Sequence, residues 1–432
     1  PMQWERRTFL KALLTGSASA GTLSVGIDRY ARAMAASTPR KLALLVGIDN
    51  YGSQGQLLGC VADVELQREL LVHRFGFNPR DIVSLTGEAA TREAIETAFL
   101  EHLVGQAEAG DVAIFHFSGY GTQVKLPIAS DTSAPQLVNG FLPSDSNRND
   151  LLETTLLLLA RSLPTDKLTL VLDTSHQPAG QLRGNLRVRS FPAPAASFNP
   201  ETFADQAQLE QRLKAANKRL ATDYATILRS STPAGVAVEV GQGDFHAGLF
   251  TYLLTQYLWQ AIPPTQIVVA LSRVAEQIAP LMGEEQQIQW DEGGKHSLFA
   301  YSLLPETSPG AEGVIANLQG QEAEIHLLGL PLHLLSAYGL NSCFQAVSGE
   351  LESPLLQIYS RQGLVAKARL LAAREGLPPL QVGQPVQEVI RLLLHNLGLV
   401  VALDSQLERI EDRKSTRLNS SHSSVSRMPS SA

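Results

Sequence analysis

A chain of 432 residues with 44% hydrophobic and 18% charged residues has enough material for a large core and two domains. A formal net charge of −7 leaves no basic footprint for a nucleic-acid partner. Two cysteines exclude a disulfide framework. Cys60 and Cys343 read as buried free thiols, with a single bridge between them as the alternative.

The N-terminus carries an export signature. Arg6-Arg7-Thr8-Phe9-Leu10-Lys11 reads as a twin-arginine motif; a Gly/Ala/Ser-rich segment, Ala12–Ile27, follows, and Ala33-Met34-Ala35 has the form of an A-x-A cleavage site. Residues 1–37 are therefore expected to be a leader to an extracytoplasmic compartment, outside the folded unit. The segment 12–27 is too short and too rich in Gly and Ser for a spanning helix, so membrane contact is expected only through an uncleaved leader.

From Lys41 the chain alternates strands and helices. Lys41–Asp49 is an apolar run of the kind buried on both faces of a parallel sheet. Gly59-Cys60-Val61-Ala62-Asp63 enters a helix to about Phe75, and Asp81–Leu85 is a second strand. Thr91 is placed to cap a helix that runs to about Leu103. Val112–Phe117 is a buried strand ending in Ser118-Gly119-Tyr120-Gly121. Leu168–Leu172 is another, ending in Asp173-Thr174-Ser175-His176. Ligands of open α/β sheets bind outside such strand ends, so two ends loaded with polar groups predict one shared site. Asp145–Asp150 alternates Asp and Asn oxygens that suit calcium, although it lacks the glycine and final Glu of a calcium loop, and a solvated turn before a helix at 152–163 explains it better. Gln181–Pro200, rich in Arg, Pro and Ala, reads as an exposed connector. Tyr224–Ser231 and Val236–Val240 are further strands, and 245–259 and 265–281 are helices. The whole predicts a mostly parallel sheet with helices on both faces. Beyond Pro305, short strand-like runs at 322–335, 343–347, 355–360 and 363–371 and a helix at 386–397 predict a small α+β module. From about Lys414 the sequence has no periodicity and reads as a disordered or artefactual tail.

Several of these segments resemble the caspase-like cysteine proteases, most closely the metacaspases and bacterial orthocaspases. That family has a first strand ending V-G-I-x-x-Y, a G-C-x-N-D helix start, a strand ending S-G-H-G and another ending D-S-C-H-S-G. The resemblance implies a caspase-like domain over 38–304, with a connector at about 181–205 between its two parts, followed by the α+β module at 305–412, expected to be incomplete, and the tail at 413–432. It also implies that Tyr120 stands where the family has its general base His, and Ser175 where it has its nucleophilic Cys. Asp63 and Asp173 match the two carboxylates that line the family's pocket for Arg or Lys.

Tyr120 is a poor base, because its reference pKa near 10 leaves only about 0.1% ionised at pH 7. A serine hydroxyl is a poor nucleophile without a base. His116 shares the strand parity of Tyr120 but lies about 13 Å back from the edge, and His176 should point away from its neighbour Ser175. Asp63 and Asp173 each have an ordinary explanation, as a first-turn acid and as a cap. Together they predict a pocket for a guanidinium. The expected function is a pseudoprotease that binds basic peptides or a protein partner without a cofactor. The alternative is an active endopeptidase that cleaves after Arg or Lys with a serine-based site. One expectation can be checked without the fold: replacing Arg6 and Arg7 together by Lys should leave the protein in the cytoplasm on fractionation, and undiminished export would refute the twin-arginine reading.

Overall fold

The computed structural model describes residues 39–52, 55–126, 136–145, 150–177, 186–197, 225–242, 245–261, 266–291, 300–303, 310–335, 338–347, 353–371 and 379–392, with a few positions between 204 and 211. The export motif, residues 146–149 of the Asp/Asn run, residues 181–185 and 198–200 of the connector and the C-terminal tail lie outside the described residues. So do residues 393–397 of the expected last helix.

The apolar runs form the centre of the molecule. Strands β1 (Lys41–Gly47), β2 (Ile82–Thr86), β3 (Val112–Ser118), β4 (Lys167–Asp173), β5 (Thr226–Arg229) and β6 (Gln289–Asp291) make one sheet in the order β6-β5-β4-β3-β1-β2. All neighbours are parallel except the edge pair β5–β6. Side-chain alternation splits each strand between two cores. Ala43, Leu45, Val112, Ile114 and Val171 face one; Leu42, Leu44, Phe115, Phe117, Leu170 and Leu172 face the other. The first is covered by helices α1 (Cys60–Phe75), α4 (Leu249–Gln260) and α5 (Ile267–Met282). The second is covered by α2 (Arg92–Ala98), with its π-helical extension Phe99–Val104, and by α3 (Glu153–Arg161). Thr91 caps α2 as expected, its Oγ1 accepting from Ala94 N at 3.1 Å. The register levels the strand ends: Gly47 pairs with Ser118, and Ser118 with Asp173.

Two small sheets border those ends. Gly121–Leu126 and Gln136–Phe141 form a hairpin flanked by Leu151–Leu152 and Ala196–Ser197. Val238–Gln242 pairs with Phe245–Gly248 on one side and with Arg187–Val188 on the other. The run 236–240 is thus a strand as expected, but of this side sheet. The helix expected from 245 starts only at Leu249, because 245–248 completes the sheet.

The C-terminal module differs from the α+β expectation. Strands β7 (Gly313–Gln319), β8 (Glu322–His326), β9 (Cys343–Ala346), β10 (Leu355–Gln362), β11 (Val365–Leu370) and β12 (Pro385–Ile390) close into a barrel in the order β7-β8-β11-β10-β9-β12. The stretch read as a helix from 386 is, over 385–390, the strand that closes it, pairing with both β7 and β9. Those partners lie more than 40 positions away in sequence, out of reach of a local pattern. Among the described residues of the module, Leu332–Leu335 adds one short helix. The barrel interior is continuous with the α1/α4 core. Tyr252 Oη of α4 donates to Leu330 O at 2.7 Å, and Gln260 Nε2 donates to Gly329 O at 2.7 Å. At the same seam Glu69 of α1 lies 3.3 Å from His73 and 3.7 Å from His326 of β8. Burial opposes the Glu69 charge, yet hydrogen bonds from His326 and His73 outweigh it and bring its pKa down to about 2.

With one shared core, barrel and sheet should unfold together. Tyr252→Phe leaves the buried Leu330 carbonyl without its donor and should lower stability by about 1–2 kcal/mol within a single urea transition. Two separate transitions in wild type would contradict the shared core.

Candidate functional site

Strand parity brings the site's carboxylate and hydroxyl to the α1 face. Ser118 shares a face with Val112 and Ile114, and Asp173 shares one with Val171. Asp63, in the first turn of α1, meets them there. Ser118 Oγ donates to Asp63 Oδ2 at 2.9 Å. Both acids also reach the start of α4, where backbone donors lack helical partners. Asp63 Oδ1 accepts from Gly248 N at 2.9 Å. Asp173 Oδ2 accepts from Thr251 N at 3.1 Å and from Thr251 Oγ1 at 2.6 Å. Asp63 keeps its expected place in the first turn of α1, whereas Asp173 caps the start of α4 and not the turn that follows it, as one reading of the sequence expected.

The pocket is filled from within. Arg189 Nη1 lies 2.6 Å from Asp63 Oδ2 and 3.1 Å from Asp173 Oδ2, and Nη2 lies 3.1 Å from Glu239 Oε1. The side chains of Arg189, Asp63 and Asp173 are 0% exposed. The connector read as exposed is thus buried at Arg189, Ser190 and Phe191. Gly248 packs so closely on Asp173 and Arg189 that a Cβ there would overlap both.

The backbone of this segment is held as firmly as the side chain. Arg189 N donates to Ala237 O at 2.8 Å, and Val188 pairs with Val238. Two amides converge on Arg189 O, Gly121 N at 2.9 Å and Ser175 N at 3.2 Å, with Thr174 Oγ1 at 3.3 Å. Residues 187–189 therefore lie as an added strand, with a guanidinium in an acidic pocket and the following carbonyl between two N–H groups. Two converging N–H donors are what stabilises charge on a carbonyl oxygen during acyl transfer.

The groups that would use such an arrangement are poorly equipped. Ser175 is fully buried, and its Oγ has no hydrogen-bond partner among the described residues. Tyr120 packs against Tyr51 and Phe191, and its phenol pKa is raised, chiefly by burial and then by Glu239. It belongs to the α2/α3 core, opposite His116. The shared face expected for the two fails because the strand ends at Ser118 and the chain turns at Gly119. His116 lies inside the charge cluster, its Nε2 2.9 Å from Ser118 Oγ, and burial followed by the Arg189 charge brings its pKa down to about 3. His176 Nδ1 faces two carbonyl oxygens, Thr122 O at 3.2 Å and Gly140 O at 3.1 Å.

Arg189, Glu239 and Ser118 complete the site beyond the residues expected from the sequence. Arg189 lies in a basic run that composition alone assigned to solvent. Glu239, between Val238 and Val240, reads locally as the outward residue of a strand. Asp49, Cys60 and Glu239 place ligand atoms within 4.8 Å of one another, a set that could hold a metal. Their acceptors are already engaged: Asp49 takes Cys60 N and Val61 N, and Glu239 takes Leu58 N, Gly59 N and Arg189. Burial also pushes the Cys60 thiol up, well above its ordinary range. Asp145, from the run considered for calcium, accepts from Arg92 N at 3.1 Å.

A protein-family model, "Caspase domain", matches residues 40–296, and the chain belongs to that family. It is similar to metacaspase-6 of Arabidopsis thaliana, 24% identical over 78% of this chain and 94% of the relative. With metacaspase-1 of Schizosaccharomyces pombe it shares 36% identity over 91 residues, 20% of this chain and 21% of that protein. Among solved structures, caspase-1 from Spodoptera frugiperda aligns over 60% of this chain and 90% of its own, at 11% identity and a TM-score of 0.36.

Asp63 gives the site a pH signature. Burial raises its pKa from 3.8 to about 7, against the opposing pull of Arg189. Between those values the folded chain holds a proton that the unfolded chain has lost, so this contribution to stability is complete below about pH 4 and disappears as pH rises to about 7. Asp63→Asn keeps the acceptor for Gly248 N and removes the titration. The stability of wild type relative to this variant should therefore fall from pH 4 to 7 in urea unfolding; parallel curves would show that Asp63 does not titrate there.

Proposed function

We propose that this protein is a caspase-fold pseudoprotease that recognises an arginine in an extended strand and does not cut it, its own residues 187–191 occupying the groove. The observation that carries this reading is the placement of Arg189, side chain among Asp63, Asp173 and Glu239 and carbonyl between Gly121 N and Ser175 N. The hydroxyl of Ser175, the neutral phenol of Tyr120, the hold of Ser118 on His116 and the anchoring of His176 by Nδ1 to two carbonyls support the absence of cleavage. A basic peptide or basic protein segment is the partner this groove would take once Arg189 has left it.

Binding and cleavage test the two halves separately. An Arg peptide should bind Arg189→Ala and wild type only weakly, if at all. Removing the guanidinium strands three buried carboxylates, so this variant should lose about 3–5 kcal/mol of stability, part of which the Arg peptide restores. Wild type should leave Arg substrates and its own chain intact. The double variant Tyr120→His with Ser175→Cys should cut its own Arg189–Ser190 bond, read as two fragments by intact mass. Wild-type cleavage of an Arg substrate that Ser175→Ala abolishes would overturn the reading and make this a working serine hydrolase.

A further inference from the structure

A second polar site lies apart from the Arg189 pocket. A cavity of about 270 Å³ opens beyond the ends of β4 and β5, lined by residues that include Glu153, Leu172, Thr174, His176, Arg229 and Thr232. Leu172 faces the opposite side of the sheet from Asp173, and neither Arg189 nor any of its three carboxylates borders the space. The volume is just below the usual range for drug-sized ligands, about 300–1,000 Å³, and suits a small metabolite.

The cavity presents a donor group and an acceptor group. Arg229 gives one N–H to Glu153 at 2.5 Å and is 21% exposed; the rest of its guanidinium has no partner among the described residues. Ser231, whose hydroxyl donates to Thr174 O at 3.4 Å, and Thr232 border the same space. His176 Nδ1 faces only carbonyl oxygens, so Nδ1 holds the proton of the neutral ring and Nε2 keeps a lone pair. Burial is the main cause that lowers the His176 pKa, which keeps that lone pair available at neutral pH. Glu153 has both oxygens engaged, one by Arg229 and one by Asn139. A simple anion would meet the field of Glu153 and Asp291, and a simple cation would meet that of Arg229. A ligand with both charges avoids both conflicts.

We propose that this cavity binds a free α-amino acid, with the carboxylate on Arg229 and Thr232 and the ammonium at His176 Nε2. The ligand would touch Thr174 and His176, which flank Ser175 in the chain.

The test is calorimetric titration of the full chain with α-amino acids, omitting arginine and lysine, whose side chains could compete with Arg189 for the Asp63–Asp173 pocket. Propionate and ethylamine serve as single-charge controls. At least one amino acid should bind saturably, and each control about tenfold more weakly or worse. Thr232→Val, which keeps the side-chain shape, and Arg229→Gln should each weaken binding by about tenfold or more. If Arg229→Gln fails to fold, Thr232→Val alone decides. The proposal is overturned if no amino acid binds, if propionate or ethylamine binds equally well, or if Thr232→Val leaves the affinity unchanged.

Discussion

One guanidinium buried among three carboxylates joins the parts of this protein that meet at the sheet edge. Asp63 comes from α1, Asp173 from the end of β4, Glu239 from the side sheet and Arg189 from the segment after β4. In an interior of low dielectric, none of the acids is tolerable as a lone charge. Burial works against the Arg189 charge as well, yet Asp173, Asp63 and Glu239 hold its pKa well above the ordinary value. Helix-start donors from Gly248, Thr251, Leu58 and Gly59 take up most of the remaining carboxylate valences. The cluster is thus a structural joint of the fold.

That role ties the acidic cluster to the fold more tightly than positions 120 and 175 are tied. The pocket is made of buried charges and backbone amides that also join α1, α4 and the strand ends. Position 175 and position 120 lie on turns beyond the strands, where a hydroxyl and a phenol fit without breaking a single ladder bond. The two amides that grip Arg189 O belong to Gly121 and Ser175, and a main-chain donor does not depend on which side chain its residue carries. Gly121 itself is constrained, since a Cβ there would overlap the Ser175 carbonyl. The two converging donors are therefore set by the backbone and not by the side chains at positions 120 and 175.

The sheet was legible in the sequence from local signals, whereas the acid pair was legible only through the resemblance to the caspase-like family. Lys41–Gly47, Val112–Ser118 and Lys167–Asp173 are continuous apolar runs, while Asp63, at the start of helix Cys60–Phe75, and Asp173, at the end of the third run, each look locally like ordinary first-turn and cap residues. Arg189 was not legible, because a run of Arg, Pro and Ala reports average solvation. Its burial depends on three acids distant in sequence, up to 126 positions away in the case of Asp63. The strand at 385–390 was hidden for the same reason. Its identity is set by pairing with residues 313–314 and 343–346, and tertiary pairing overrides a local helical pattern. The face of Tyr120 was misjudged because period-two counting holds only while the strand lasts, and β3 ends two residues earlier.

Adjacent residues of α4 connect the pocket to the barrel. Thr251 donates to Asp173 through both its amide and its hydroxyl, and Tyr252, the next residue, donates to Leu330 of the barrel. Neighbouring side chains on a helix point about 100° apart, so one helical turn can serve two partners on different sides. Trp259 O at the other end of α4 accepts from Ala311 N, just before β7. The barrel therefore holds α4 at both ends, and α4 in turn supplies N–H groups that solvate Asp63 and Asp173. A pocket whose charges are satisfied by the start of a helix is only as well formed as that helix is well placed, which makes the barrel part of the pocket's support.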